Sequence, residues 1–291
     1  MTTMKNILLA GGDRRFRFLA DHLTAEGIPL TVFGLGDRSD IRHIGEIRSS
    51  PDILILPLPA TTDGEHLSAP LSPELPPVKL SHLLDLCHPH SRIYAGVTAA
   101  GSSLKEACEK RSLRLIDYLA DEPFTLFNAD ATAEAALALA IEKLPCTLRG
   151  TKLLITGSGR IAKSLVRLLA PFGAEVYLAA RNETARLQAD LMGARSLPLT
   201  DLQPLLPQMR LILNTVPHPI FTRSMADAVR KDALIFELAS APGGFDESFP
   251  AHSPVPVHSA LSLPGKTAPE SCGRWLAELI QKHEPEGRYT R

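Results

Sequence analysis

The chain has 291 residues, with 31 Lys and Arg against 32 Asp and Glu, 44% hydrophobic and 22% charged residues. At about 150 residues per domain this length suggests two domains, each large enough to bury a core, and the composition excludes wholesale disorder. The formal net charge of −1 supplies no global basic field, which argues against a nucleic-acid or membrane-surface partner.

Residues 6–10, NILLA, read as a buried strand, 16–26 as a helix, 30–33 as a second strand and 52–58 as a third, ended by Pro57 and Pro59. Pro70, Pro73, Pro76 and Pro77 forbid a continuous helix over 67–78, which reads as a surface loop. A strand at 92–95, a helix at 103–111 and a strand at 113–117 follow. Residues 130–144, DATAEAALALAIEKL, are rich in Ala and Leu with no breaker before Pro145, and predict a linking helix. A second series then begins: strand 152–156, helix 160–172, strand 175–179, helix 185–192, strands 211–214 and 234–238. A last helix, 269–282, carries Trp275, the single Trp.

Strands alternating with helices imply parallel sheets covered on both faces. The expected fold is α/β, with two doubly wound parallel-sheet domains. The first, 1–128, is flavodoxin- or Rossmann-like and is the candidate substrate domain. The second, 129–268, is entered through helix 130–144. Residues 269–291 form a C-terminal helix expected to pack back on the first domain, with 284–291 frayed.

The sharpest motif is TKLLITGSGRIA, in which an apolar strand runs into Gly157, Ser158, Gly159, Arg160, Ile161 and Ala162 at the start of a helix. This is the G-x-G-x-x-A dinucleotide fingerprint in the strand-to-helix context it needs. Gly157 permits the tight turn, Gly159 admits the pyrophosphate, and Ala162 lets the helix pack on the strand. The helix N-terminus offers N–H groups and a partial positive charge to phosphate. The second domain therefore reads as a Rossmann NAD(P)-binding domain. Its second strand ends in Ala180, Arg181 and Asn182, with no carboxylate at the tip to hold a ribose 2′-hydroxyl. Arg181 suits a 2′-phosphate, so NADP(H) is favoured over NAD(H). Thr215, Val216 and Pro217 after one later strand, and Ser240 before the Gly243–Gly244 pair after another, should face the nicotinamide. His218 follows the same strand end as Thr215 and is a candidate acid/base group.

In the first domain, Gly11, Gly12, Asp13 and Arg15 follow the first strand, and Arg15 could hold an anion or belong to a solvated turn. Thr61 and Thr62 place two hydroxyls after another strand, for substrate contacts or for a simple turn. GKT at 265–267 lacks the preceding glycine of a phosphate loop, since that position is Ala260. His82, Cys87, His88 and His90 match no common zinc spacing, so no metal is expected. The four cysteines are scattered without a C-x-x-C pair, as in a reducing compartment. The opening residues read as a strand rather than a secretory leader, and no stretch approaches the roughly 18 apolar residues of a membrane span, so a cytoplasmic protein is expected.

The motifs, taken in order, resemble the A-type subunit family of dipicolinate synthase from spore-forming bacteria. GGDRR is similar to its G-G-D-x-R, LPLPATTDG to its strand and A-T-T loop, and NADATAEA to its N-x-x-x-T-x-E, matching Asn128, Thr132 and Glu134. GSGRIA, LAARN, NTVP and ELASAPGGFD follow in the family's order. LPGKTAPESCG resembles its L-P-G-x-x-A-P-x-[ST]-x-G run, matching Pro264, Gly265, Ala268, Pro269 and Gly273. The chain departs from the family pattern at Ala162 for Gly, at Glu237 for Asp, and at Glu270 for Lys, with Lys266 just upstream.

The resemblance implies an NADP(H)-dependent oxidoreductase subunit in dipicolinate biosynthesis during sporulation. Its substrate would be a small cyclic dicarboxylate of the lysine pathway, a hydroxy-tetrahydrodipicolinate. Its partner would be the B-type subunit of dipicolinate synthase, which resembles flavoproteins, and a homo-oligomer is compatible with it. A dicarboxylate needs cations and hydroxyls, which nominates Arg15, Thr61, Thr62, Asn128 and Lys266 for substrate, and His218 and Glu134 for proton transfer. Glu134 could equally be a surface carboxylate near a helix N-terminus. The alternatives are a reductase similar to shikimate dehydrogenase, whose Lys/Asp pair has no clear counterpart here, and a non-catalytic NADP-binding scaffold subunit.

Overall fold

The computed structural model describes residues 5–98 and 101–284. Its strands are β1 (Ile7–Ala10), β2 (Thr31–Phe33), β3 (Ile53–Ile55), β4 (Arg92–Ala95), β5 (Arg114–Asp117), β6 (Lys152–Thr156), β7 (Glu175–Ala179), β8 (Arg195–Leu197), β9 (Leu211–Asn214), β10 (Leu234–Glu237) and β11 (Val257–Ser259). Its helices are α1 (Arg14–Ala25), α2 (Leu80–Asp85), α3 (Ser103–Glu109), α4 (Glu122–Lys143), α5 (Arg160–Leu169), α6 (Glu183–Leu191), α7 (Arg223–Ala226), α8 (Phe249–His252), α9 (Leu263–Thr267) and α10 (Pro269–His283). The chain divides into two compact units. One holds the described residues up to Thr125 and from Gly265 onward, and the other is Leu126–Pro264.

The first unit is built on a parallel sheet in the order β2-β1-β3-β4-β5. ILLA in β1 and ILI in β3 are buried along their whole length, the continuous apolar pattern of a parallel sheet covered on both faces. Asp13 caps α1 by accepting a hydrogen bond from the Arg15 N–H at 3.0 Å. The buried face of α1, with Phe16, Leu19, Ala20 and Leu23, shares one apolar cluster with Leu276, Ala277, Leu279 and Ile280 of α10. The expectation of a frayed end fails at Glu284, which is buried. It pairs with Lys5 Nζ at 2.6 Å and Arg92 Nε at 2.9 Å and accepts from the Tyr94 hydroxyl at 2.8 Å. A carboxylate this well partnered stays folded where its polar sequence context suggested solvent; 285–291 lie outside the described residues.

The second unit carries a six-stranded parallel sheet in the order β11-β10-β9-β6-β7-β8. Read from the other edge, this is the 3-2-1-4-5-6 order of a dinucleotide fold. The face of α5 formed by Ala162, Leu165, Val166 and Leu169 is buried against β6 residues Leu153 and Ile155. Both units are α/β and doubly wound.

Several elements differ from the sequence expectation. α4 starts at Glu122, eight residues before the expected 130, because Asp121 Oδ1 accepts from Phe124 N–H at 2.9 Å and Pro123 is tolerated in a first turn. Glu134 therefore lies mid-helix and exposed, not near an N-terminus. With this earlier start α4 is also long and apolar enough, by length and composition alone, to cross a membrane, although Asp130 and Glu134 interrupt it, so that it holds no unbroken apolar run of that length. Its Ala133, Ala135, Ala136 and Ala140 are buried in the core of the second unit. The edge strands β8 and β11, RSL and VHS, were not expected, since neither has an apolar run.

Candidate functional site

In a sheet of this order, ligands meet the carboxyl ends of the strands at the switch point between its two halves. Here that is the edge where β6 and β9 end. β6 ends at Thr156 and turns at Gly157, whose φ of +99° lies in the left-handed region. A Cβ there would stand 2.5 Å from Thr215 Oγ1, so both conformation and space require glycine. Gly159 is the N-cap of α5 and makes no side-chain cap hydrogen bond, and no acidic residue stands in the first turn. Beyond its own neighbours in the chain and the helix backbone, no atom of the described residues lies within 4 Å of where its Cβ would be. Among the described residues the α5 N-terminus thus presents main-chain donors with no side-chain cap and no acid in its own first turn.

The other cofactor nominees take their places around this turn. Ser158 is half-buried and Ile161 half-buried, while Arg160 stands exposed at the first position of α5. Arg181 is exposed just beyond β7, and Asn182 caps α6 by accepting from Ala185 N–H at 3.0 Å. Thr215 donates its hydroxyl to the Thr156 carbonyl at 2.6 Å, which ties the β9 loop to the β6 end. Val216 is half-buried, and Pro217, His218 and Ser240 are exposed. Among the described residues, neither His218 nor Glu134 has a hydrogen-bond or ion-pair partner to orient it.

Sequence reasoning missed two features here. Arg186 Nη1 donates to the carbonyls of Ala180 at 3.1 Å and Arg181 at 2.9 Å. A second guanidinium therefore stands at the β7 tip; the R-N-x-x-x-R spacing from strand end into helix was the available signal. The second feature is a polar chain across three strand ends. Thr156 donates to Asn214 Oδ1 at 2.6 Å, and Asn214 Nδ2 donates to Glu237 Oε1 at 2.7 Å. Burial pushes the Glu237 carboxyl above its ordinary value, against hydrogen bonds from Gly244, Asn214 and Ala239 that pull it down.

The carboxyl edge of the first unit is organised differently. Arg15 is 3% exposed. Its Nε meets Asp13 Oδ1 at 2.9 Å and its Nη2 meets Asp13 Oδ2 at 2.8 Å, while Nη2 also donates to the Leu58 carbonyl. A Cβ on Gly265 would overlap the Asp13 carboxylate, so the GGDRR and LPGKT motifs pack on each other. Thr61 is buried and donates to Asp63 Oδ1 at 2.9 Å; Asp63 Oδ2 also meets His66 Nδ1 at 2.8 Å. Hydrogen bonds from the His66 and Glu65 main chain hold the Asp63 carboxyl far below the usual carboxylate range. Thr62 and Lys266 are exposed. Asn128, in the second unit on α4, has a buried side-chain oxygen without a hydrogen-bond partner among the described residues. The structure thus brings Arg15 to the Gly265 turn beside Lys266, and Thr61 to an acidic loop, rather than leaving Arg15 and Thr61 extended for a ligand.

Comparisons with known proteins match both halves. Residues 6–119 match the family described as the N-terminal domain of the A-type dipicolinate synthase subunit, and residues 131–235 match the D-isomer specific 2-hydroxyacid dehydrogenase NAD binding domain. The A-type dipicolinate synthase subunit of Bacillus subtilis is 27% identical over 290 residues, covering 97% of this chain and 96% of that protein. A crystal structure of the A-type polypeptide of dipicolinate synthase from Bacillus subtilis aligns with a TM-score of 0.82 at 26% identity, covering 98% of this chain and 97% of the other. The crystal structure of its counterpart from Bacillus halodurans aligns with a TM-score of 0.86 at 23% identity, covering 97% and 98%, and shares the fold. The second unit accordingly resembles an NAD-binding dehydrogenase domain, and the chain resembles the A-type dipicolinate synthase family over nearly its whole length.

Proposed function

We propose that this chain is the NADP(H)-dependent oxidoreductase component of a two-subunit dipicolinate synthase. Its substrate is the cyclic hydroxy-tetrahydrodipicolinate, and its partner is the flavoprotein-like B-type subunit. The observation that carries the nucleotide reading is the uncapped N-terminus of α5 behind Gly157 and Gly159, with Arg181 at the β7 tip. Gly157, Ser158, Gly159, Arg160 and Ile161 would hold the pyrophosphate. Arg181, with Asn182 beside it, would take the 2′-phosphate. Thr215, Val216, Pro217 and Ser240 would line the nicotinamide half. The cofactor, when bound, supplies the hydride exchange of a dehydrogenation. Net loss of water and two hydrogens from the substrate yields the aromatic pyridine.

The residues of this chain would then bind and orient a dicarboxylate and move one proton. Lys266 and Thr62 are exposed for such contacts. Arg15 and Thr61 are already engaged within the first unit and act on the substrate through the loops they hold. Asn128 keeps an unused buried acceptor. His218 is the nominee for the proton and Glu134 its alternate. The scaffold reading has one specific support, that neither has an orienting partner among the described residues.

Titration of the purified chain with NADPH and with NADH, in wild type and Arg181→Ala, tests the cofactor. Losing a charge-assisted contact to phosphate should weaken NADPH about 10- to 100-fold and leave NADH nearly unchanged. Equal weakening overturns the 2′-phosphate assignment. Turnover of the complex with the flavoprotein-like partner, in His218→Ala, Thr62→Ala and Lys266→Ala, separates enzyme from scaffold. At least one should lose turnover with NADPH binding intact; three unaffected variants would favour the scaffold.

A further inference from the structure

We infer that Glu237 is the positioning residue of the nicotinamide half of the site, fixing the two loops that follow β9 and β10. The inference rests on the nucleotide reading above and extends it to a residue that reading does not use.

Glu237 is the last residue of β10, paired in register with Asn214, the last residue of β9, which is in turn paired with Thr156 at the end of β6. Its carboxylate meets three donors. Oε1 accepts from Asn214 Nδ2 at 2.7 Å and from the Ala239 main chain at 2.8 Å, and Oε2 accepts from the Gly244 main chain at 2.7 Å. A six-residue excursion of backbone, 239–244, is therefore closed on a single side chain. Asn214 does the same for the preceding loop: its Nδ2 donates to the Val216 carbonyl at 3.0 Å and its Oδ1 accepts from the Val216 N–H at 3.2 Å.

The double glycine is explained by this carboxylate and amide. A Cβ on Gly243 would stand 2.9 Å from Glu237 Oε2, and one on Gly244 would overlap the Asn214 amide. Gly243 also has a φ of +82°, where a side chain is strained. The loops wrap the pair so closely that no Cβ fits. In a sheet of this order the adenine half lies toward the β7 side and the nicotinamide toward β9 and β10. Glu237 thus acts through Ala239 and Gly244 on the nicotinamide half alone. With its oxygens filled by protein donors, it is a positioning residue, not a catalytic one.

All three donors are N–H groups, so a glutamine at 237 must turn its own amide NH₂ toward one of them and lose that bond. The test measures NADPH and adenosine 2′,5′-bisphosphate binding to the full chain by calorimetric titration, in wild type, Glu237→Gln and Glu237→Asp. The bisphosphate carries the adenine half only. Glu237→Gln should weaken NADPH about tenfold, the size of one lost hydrogen bond to a charged acceptor, and leave the bisphosphate within about twofold. Glu237→Asp should recover most of the loss. Unchanged NADPH binding in Glu237→Gln, or equal weakening of both probes, overturns the proposal. If Glu237→Gln does not fold, Glu237→Asp must still show a smaller split of the same sense, and its absence overturns the proposal too. A wild-type chain that binds neither probe removes the nucleotide reading itself, an outcome distinct from any result on the variants.

Discussion

The two units contain the same local device with opposite electrostatics. Each has a buried strand, β1 or β6, that runs through glycines into a helix. At α1 the helix N-terminus is filled by the protein: Asp13 caps it, and the buried Arg15 clamps that carboxylate from the other side. At α5 the N-cap is Gly159, with no side-chain cap and no acid in the first turn. An anion is favourable at either helix start. In the first unit the anion is a side chain and the turn is a structural joint, onto which the Gly265 turn is packed. In the second no side chain caps the helix and no acid stands in its first turn, the arrangement on which the proposed nucleotide site rests. Glycines after a strand therefore do not by themselves announce a nucleotide site; what distinguishes one is whether the chain supplies its own carboxylate.

The comparison breaks most directly at Asp13. Asp13→Ala leaves the Arg15 guanidinium buried without its partner, which costs about 3 kcal/mol. The first unit should lose about 6–12 °C in melting temperature by scanning calorimetry, without gaining affinity for NADPH. A loss below about 1 °C, well under that expectation, would mean that the pair is not what holds the turn. Almost as large an effect is expected from the reverse exchange. Gly159→Asp gives α5 the kind of cap α1 has. Caps of this type add a few tenths of a kcal/mol to a helix over glycine, so thermal stability should hold or rise. NADPH binding should fall about 100-fold, or about 2.7 kcal/mol, because the carboxylate takes the donors and repels the phosphate. Retained affinity in a folded Gly159→Asp variant removes the α5 N-terminus from the site. Smaller again is Gly265→Ala, whose methyl group must displace the Asp13 carboxylate. An overpacking cost of about 1–3 kcal/mol is expected by denaturant unfolding, with NADPH affinity unchanged.

What was legible in the sequence follows the same division. The G-x-G-x-x-A turn was readable because its chemistry is local: Gly157 needs its φ, Ala162 needs its packing, and both lie within six residues. The alternation of apolar runs with helices made the α/β class readable for the same reason. The role of Arg15 was not readable. Its type fits a substrate carboxylate, but its partners are a carboxylate two residues back and a carbonyl 43 residues on, and only the fold shows that they meet. The Thr156–Asn214–Glu237 chain was hidden likewise, since its members lie 58 and 23 residues apart and are joined by sheet register. The early start of α4 was missed because the Ala- and Leu-rich run begins only at residue 130, whereas the turn that opens the helix rests on the Asp121 cap. The edge strands β8 and β11 were missed because their burial is partial, so periodicity had nothing to report.

The smallest expected effect concerns Glu237. Burial is the largest influence on its carboxyl and places its folded value above the ordinary 4.5. In the window between those two values the folded protein binds more proton than the unfolded chain, so its stability falls as pH rises through it. The contribution is complete below the ordinary value and is lost above the raised one. Denaturant unfolding of wild type and Glu237→Gln across about pH 4 to 7 should give curves that differ in slope only in that window. The wild type should lose stability relative to the variant on going up in pH, because only it must ionise a half-buried carboxyl. Parallel curves would mean that the hydrogen bonds from Asn214, Ala239 and Gly244 fully offset burial, and that the carboxylate sits in this loop at no electrostatic cost.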